Sequence, residues 1–469
     1  MQKIIDIHTH VFNLNYLPIR GVLQAHGVPK KAAKILEIIL LKLTNSSYFE
    51  DKSNYDYKFL LDDTIPNFSQ SLLDLSDKDV CRDLIERAVL HPDIGSNVKI
   101  RVALESLNFD DFESSSLFQN KWYIDLQDAN LNFTVGNDRW LVSKLAYLID
   151  KFMSGFYHLK WFRFMMRSEK YIYNNLIQNY DNIGLFIFHM MDADKFFHGK
   201  RKHSATAGFS IDYKIEKMQK LIKHSEGKLI GFVPFNPKRK DGLKLVVEAL
   251  KFDGFKGVKF YPPLGYRATL NPNNTIEKRI DKFFKYCETN NVPVFTHCTP
   301  TGFEAVPKVS GLNSDPYYWE QLLKTYPDLI LCLGHAGGVE GWFDPFEENQ
   351  LFPREIDANG NDILTYAEKV YNLCISYKNV YCEVAFLDHV HNTEQKKNFK
   401  KRLKYLLELQ TPNYLFKNKI MYGSDFHILF NHGIQYNYHD QYLEILKDIA
   451  LQELIDKFFF KNAEAYLKI

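Results

Sequence analysis

Several absences narrow the field before any motif is considered. Neither sign of charge dominates, because 59 Lys and Arg residues stand against 57 Asp and Glu residues in a chain of 469. A net charge of +2 gives no electrostatic case for a nucleic-acid partner. The six cysteines (Cys81, Cys287, Cys298, Cys332, Cys374 and Cys382) form no CxxC pair and no dense framework. Reduced thiols in a reducing compartment fit that pattern best. No run of about 18 apolar residues occurs, so no transmembrane segment is expected. The chain begins on the strand-like run Lys3–Ile7 rather than on a basic head and an apolar stretch, which predicts no signal peptide and a cytoplasmic address. No fixed-period repeat or low-complexity tract is visible.

What remains is ordinary globular composition, 45% hydrophobic and 25% charged. Length alone suggests two or three domains, but an α/β barrel with insertions absorbs this many residues. From residue 180 onward, short apolar runs alternate with amphipathic stretches. The runs are Gly184–His189, Leu229–Val233, Gly257–Tyr261, Val292–His297, Leu329–Gly334, Asn379–Val384 and Lys419–Ser424. Each is rich in β-branched or aromatic residues and closed by Gly, Pro, Asp or His, the pattern of buried parallel strands. Helical periodicity fills the gaps; between Thr275 and Asn290, for example, Ile276, Ile280, Phe283, Phe284 and Cys287 recur at helical spacing. With Lys3–His10 added there are eight strands, which predicts a (β/α)8 TIM barrel; a doubly wound open sheet is the alternative.

The barrel is therefore assigned to residues 1–10 and 181–469, and residues 11–180 to a helical insertion or cap. Within the insertion, Lys30–Leu43 is amphipathic, Ser76-Asp-Lys-Asp79 resembles a capping box opening a helix through Leu90, and residues 138–179 carry two more helical stretches. A connection that follows a barrel strand emerges at the catalytic mouth, so the insertion is expected over or beside the site. The basic aromatic stretch Trp140–Arg167 reads as the insertion's own core with solvated charges, against the alternative of a membrane-surface or partner-binding helix.

His8-Thr9-His10 opens the chemistry, since residues two apart in a strand point to the same side. The spacing alone is weak, and His389-Val-His391 repeats it in a polar stretch that reads as a loop pair. Position strengthens the first pair. His297 closes the fifth strand, His335 follows the sixth across Gly334, and Asp425 follows the eighth across Gly423-Ser424. A barrel gathers the C-terminal ends of its strands around one mouth, where imidazoles and a carboxylate supply ligands suited to Zn²⁺, Fe²⁺ or Mn²⁺.

Ile5-Asp-Ile-His-Thr-His10, Gly254-Phe-Lys-Gly-Val-Lys-Phe-Tyr-Pro262, Val294-Phe-Thr-His297, Gly334-His-Ala-Gly-Gly338 and Tyr422-Gly-Ser-Asp425 together resemble the amidohydrolase superfamily. The closer likeness is to its branch containing aminocarboxymuconate-semialdehyde decarboxylase and related mononuclear enzymes, whose ending Asn462-Ala463 also resembles. The likeness covers the first strand and roughly residues 180–469, not the insertion. It implies that His8, His10, His297 and Asp425 bind one divalent metal, zinc before manganese or iron. It implies further that Asp425 accepts a proton and that His335 acts in proton transfer or as an electrophile. A bound cation lowers the pKa of water from about 15.7 towards about 7, which makes hydroxide available near neutrality.

Lys259 lies in the fourth strand and admits three readings. It is a carboxylated bridge between two metals, with His297 and His335 on the second, as in binuclear relatives. It is an ammonium that binds an anionic substrate group. Or it is a barrel lysine paired with a carboxylate. One metal is favoured. Arg267 follows that strand and reads either as a guanidinium for a substrate carboxylate or as an exposed loop arginine. Glu383 reads as a pocket residue or a partner of Lys259, Asp6 as a contact supporting the histidines, and His189 as a substrate contact or a satisfied core histidine. Cys298 should face away from its neighbour His297.

The expected function is metal-dependent hydrolysis of an amide, lactone or related bond in a small, potentially anionic molecule. The alternatives are non-oxidative decarboxylation of a small carboxylic acid and a non-catalytic binding protein on a vestigial barrel. A homo-oligomer is compatible with all three.

Overall fold

The computed structural model describes residues 3–25, 30–44, 161, 164–180, 182–193, 209–356, 360, 362–429, 438–449 and 452–469. Within them the apolar runs form strands: β1 (Ile5–Thr9), β2 (Leu185–His189), β3 (Leu229–Phe235), β4 (Phe255–Phe260), β5 (Val294–His297) and β6 (Leu331–Gly334). A short hairpin, β7 (Arg354–Ile356) and β8 (Asp362–Leu364), precedes β9 (Val380–Glu383) and β10 (Ile420–Met421). The main sheet has the order β1-β2-β3-β4-β5-β6-β9-β10 with every pairing parallel. Backbone bonds bring its two edges together: Ile7 N donates to Tyr422 O at 3.2 Å, Asp425 N to His8 O at 2.7 Å and His10 N to Phe426 O at 2.6 Å. The TIM barrel is the observed architecture. The β7–β8 hairpin was not anticipated, because its strands of three residues each are too short to show alternation.

Several helices start where a side chain satisfies their first free amides. Asn273 accepts from Thr275 N and Ile276 N ahead of Asn274–Thr289, and Thr365 accepts from Glu368 N ahead of Tyr366–Ser376. Asn274–Thr289 buries Ile280, Phe283, Phe284 and Cys287, the face that helical spacing selected. The barrel interior is apolar below its mouth, where Ile5, Ile7, Ile187, Phe232, Phe295, Ile330, Cys332, Tyr381 and Met421 form one cluster. The final helix, Asn462–Leu467, adds Ala463, Tyr466 and Leu467 to that cluster. Its first residue anchors it, because Asn462 Nδ2 donates to Ile420 O at 2.8 Å and to Lys417 O at 3.0 Å. Fully burying a side chain such as Phe232 or Phe295 contributes about 1.5–3 kcal/mol, so the cluster holds the strands in register.

The chain divides into two compact units: Met1–Val11, Tyr173–Lys202 and Ser210–Ile469 in one, Phe12–Ile172 and His203–Phe209 in the other. In the second, Ile19–Ala25 and Lys30–Leu43 are helices that pack on each other, and Arg20 pairs with Glu37 between them. The helix expected from Ser76 to Leu90 lies outside the described residues, as does most of Trp140–Arg167. No helix among the described residues is long and apolar enough to cross a membrane.

Candidate metal centre

The first strand delivers its histidines through an irregularity. Ile5 pairs with Leu185 and Asp6 with Phe186, but Thr9 rather than His8 pairs with Phe188, so the register slips by one residue between Asp6 and Thr9. A β-bulge of this kind re-aims side chains. Ile7 joins the apolar cluster with Ile187 and Phe232, while the next residue, His8, packs its ring 4.7 Å from Phe295 of the same cluster. Asp6 supports the turn through the backbone rather than the imidazoles: its Oδ1 accepts from His8 N at 3.1 Å and from Ser424 N at 3.0 Å.

Each of the two imidazoles is fixed on one nitrogen, which leaves the other exposed to its neighbours. His10 Nδ1–H donates to His189 O at 3.1 Å, since a carbonyl can only accept, which in the neutral imidazole leaves the lone pair on Nε2. His8 Nδ1 lies 3.0 Å from Glu383 Oε1, a contact satisfied by donation from His8 to a carboxylate. Both Nε2 atoms then face the same acceptor, with Asp425 Oδ1 at 3.5 Å from His8 Nε2 and 3.1 Å from His10 Nε2. Lone pairs so placed repel unless a proton or a cation stands among them, a place open to a metal ion as well as to the Lys259 ammonium, whose Nζ is 3.5 Å from His8 Nε2. Ligands about 2.1 Å from a tetrahedral ion are about 3.4 Å apart, so the spacing suits one. His8, His10 and Asp425 are buried and offer donor atoms within 4.8 Å of one another; His8, His335 and Glu383 form a second such group. The residues present fit a divalent metal.

His335 and Asp425 both hold left-handed backbone conformations, each with φ of 59°. For residues other than glycine this is uncommon and costs roughly 1–3 kcal/mol. Specific bonds hold each in place: Glu383 Oε1 accepts from His335 N at 2.7 Å, and Asp425 N donates to His8 O at 2.7 Å.

His297 stands beside His335 but outside both donor groups. Its Nδ1 is 3.0 Å from His335 Nε2, and its Nε2 is 2.6 Å from Thr301 O and 2.9 Å from Thr299 Oγ1. His335 Nδ1 faces Ala385 O at 2.9 Å. The two carbonyls claim the two protons of a neutral pair, so the nitrogen–nitrogen contact is one proton short. Gly302 closes the loop over His297 with φ of 145°, and a Cβ there would lie 2.6 Å from His297 Nε2.

Lys259 lies between His8 and Phe295. Its Nζ is 3.5 Å from His8 Nε2 and 4.2 Å from the centre of the Phe295 ring. Burial pushes its pKa down to about 8 against the pull of the Asp425 and Glu383 carboxylates. Burial likewise pushes the Glu383 carboxyl up to about 8, opposed by the amides of His335 and Ala385. His8 and His297 are both held well below the usual histidine range, burial being the largest cause, so their neutral forms prevail.

The remaining predicted residues separate. His189 is a core histidine: its Nε2 donates to Ile7 O at 2.9 Å and its ring packs 4.1 Å from Phe295. Arg267 is engaged elsewhere, by Asn313 Oδ1 at 3.1 Å, Leu270 O at 3.3 Å and the Tyr318 ring at 4.7 Å. Cys298 is buried with its thiol towards Ser314 O at 3.6 Å, and His389 and His391 sit on the short turn Asp388–His391. Sequence reasoning did not find the carbonyls of His189, Ala385 and Thr301, which as backbone atoms leave no residue-type signal. It also missed Thr299 and Tyr261, whose Oη accepts from Phe303 N at 2.8 Å in the same loop.

The family model of amidohydrolases matches residues 190–469, well over half of the 469 residues. The chain belongs to the amidohydrolase family. The matched span of this amidohydrolase begins one residue after β2, so His297, His335, Glu383 and Asp425 fall inside it and His8 and His10 outside. No curated protein matches the sequence. Among solved structures, similarity is found to a probable 2-pyrone-4,6-dicarboxylic acid hydrolase from Acinetobacter baumannii with citric acid bound (14% identity, 63% of this chain and 88% of that one, TM-score 0.40). A 5-carboxyvanillate decarboxylase from Novosphingobium aromaticivorans complexed with manganese is similar at 14% identity, with 63% and 80% of the two chains covered and a TM-score of 0.40. An amidohydrolase from Burkholderia multivorans with bound zinc is similar at 10% identity, with 63% and 88% covered and a TM-score of 0.41.

Proposed function

We propose that this amidohydrolase holds one divalent cation, zinc before manganese or iron, and hydrolyses an amide, lactone or related ester bond in a small molecule. The observation that carries the reading is the meeting of His8 Nε2, His10 Nε2 and Asp425 Oδ1, three buried lone-pair atoms, at the C-terminal ends of strands. His297 is the proposed fourth ligand, exchanging one of its present hydrogen-bond partners for the ion. When bound, the cation would supply Lewis acidity, acidifying water and polarising the substrate carbonyl through its oxygen.

The chain's own groups do the rest. Asp425 takes a proton from the attacking water and returns it to the leaving group, a task suited to a carboxylate within reach of both. His335, beside His297, is the proposed proton-transfer group: with its Nδ1–H on Ala385 O, its Nε2 takes up a proton before donating to the oxygen on which negative charge develops. Lys259 remains an ammonium at neutral pH, since even its depressed pKa is about 8, and it attracts an anionic substrate group. That charge, lying over Phe295, favours one metal over two, because a bridging lysine must lose it. Arg267 is left out of the proposed site, its guanidinium being held by Asn313 and Leu270.

The test is elemental analysis of the purified chain alongside His8→Ala and His297→Ala, followed by incubation of the metal-loaded protein with small lactones, amides and carboxylic acids. Stoichiometric metal that both variants lose, and products heavier than substrate by one water, are expected. Undiminished metal in both variants refutes the ligand assignment. Release of CO₂ without water addition replaces hydrolysis by decarboxylation, and an intact fold without stoichiometric metal favours a binding protein.

A further inference from the structure

Glu383 has a place that neither a pocket-lining residue nor a partner of Lys259 would need. It ends β9, is fully buried, and spends its oxygens on two main-chain N–H groups and one imidazole nitrogen. Oε1 accepts from His335 N at 2.7 Å and faces His8 Nδ1 at 3.0 Å, while Oε2 accepts from Ala385 N. Space is kept for it as well, because a Cβ on Gly423 would stand 2.6 Å from Oε2.

We infer that Glu383 is a positioning residue that fixes His8 with its proton on Nδ1 and its Nε2 lone pair turned to Asp425, while clamping the left-handed backbone of His335. The physical reason lies in what each atom can do. Main-chain amides on both oxygens, His335 N on Oε1 and Ala385 N on Oε2, favour the ionised carboxylate against the effect of burial, and in that form Glu383 only accepts, which places the proton of His8 on the nitrogen that meets it. An imidazole with no acceptor at Nδ1 is free to carry its proton on Nε2, where it blocks any ligand role. One carboxylate thus sets the tautomer of a histidine on β1 and the main chain after β6, two elements that meet at the mouth. The metal part of this inference rests on the proposed function; the tautomer part does not.

The experiment uses the full chain labelled with ¹⁵N-histidine, with the His8 signals assigned by their loss in His8→Ala. In the metal-free wild type, His8 is expected as the Nδ1–H tautomer. Glu383→Met removes the acceptors at similar length and should move the proton to Nε2 or mix the two forms. It should also weaken Co²⁺ binding, measured by competition with a chelator, by about 10–100-fold, the usual consequence of losing such a partner. Glu383→Gln keeps one acceptor oxygen and should retain the Nδ1–H form and recover most of the affinity. A role in stability alone would lower the melting temperature without shifting the tautomer. The inference is overturned if wild-type His8 carries its proton on Nε2, a result that needs no variant to fold. It is equally overturned if Glu383→Met keeps both the tautomer and the affinity. Should wild-type His8 be the Nδ1–H form in a chain that binds no Co²⁺, the metal reading fails and the positioning role stands.

Discussion

Gly423→Ala tests how tightly the site is built, because a single methyl group probes both Glu383 and His8. A Cβ there would lie 2.6 Å from Glu383 Oε2, 3.0 Å from His8 Cβ and 3.3 Å from Ala385 Cβ. The backbone is not the obstacle, since Gly423 is not among the residues with positive φ. Relief must come from the carboxylate, which is tied to His335 N, Ala385 N and His8 Nδ1. Overpacking of a rigid interior costs about 1–3 kcal/mol, and loosening a hydrogen bond to a charged group costs about 1.5–3 kcal/mol. The opposing gain, fewer unfolded conformations for alanine than for glycine, is about 0.4–1 kcal/mol. The clash wins, and a net loss of about 1.5–5.6 kcal/mol is expected in urea unfolding of the metal-free protein. Co²⁺ binding should weaken along with it. Gly184→Ala is the matched control, because its Cβ would meet nothing closer than Ile4 O at 3.7 Å and its φ is not positive. That variant should be neutral or slightly stabilised, so the two substitutions should differ in sign. If Gly423→Ala is as stable as Gly184→Ala and binds Co²⁺ like the wild type, Glu383 and His8 are not packed as described.

Two further outcomes follow from the same structure. A ligand that binds only the folded state at a hundred times its Kd adds about 2.7 kcal/mol, so Zn²⁺ at that excess should stabilise the wild type and leave Asp425→Asn nearly unchanged in urea titrations. Equal stabilisation of both would remove Asp425 from the ligand set. Arg402 is buried and donates to the carbonyls of Leu351, Trp342, Asp344 and Pro345, so Arg402→Met should cost about 3–5 kcal/mol by leaving those acceptors unpaired. Burial lowers its pKa to about 10, below the unfolded value, so its charge state is the same in both states beneath that pH. The loss should therefore be flat from about pH 6 to 9, and a loss that varies steeply over that range would argue against this assignment.

The strands were legible because a parallel strand buried on both faces must be a short apolar run, and runs such as Val292–His297 and Leu329–Gly334 have no other economical fate. The placement of His297, His335 and Asp425 was legible for the related reason that strand ends in a barrel converge. What escaped was relational. Strand parity says which side a residue faces but not which neighbour it meets, so from sequence Glu383 reads as a pocket residue or a partner of Lys259, whereas its oxygens meet His8, His335 and Ala385. The slip between β1 and β2 is set by hydrogen bonds between segments some 180 residues apart, and no local pattern encodes it. It nevertheless decides the chemistry. A regular strand would send Ile7 and His8 to opposite faces, yet here both reach the barrel interior, one into the apolar cluster and the other to Asp425. The imidazole consequently rests on the apolar floor formed by Phe295, with Lys259 Nζ and Asp425 Oδ1 each 3.5 Å from its Nε2. A histidine in such a place is neutral by burial and oriented by whatever acceptor reaches its Nδ1. The proposed ligand set thus depends as much on one irregular strand pairing and one buried carboxylate as on the histidines themselves.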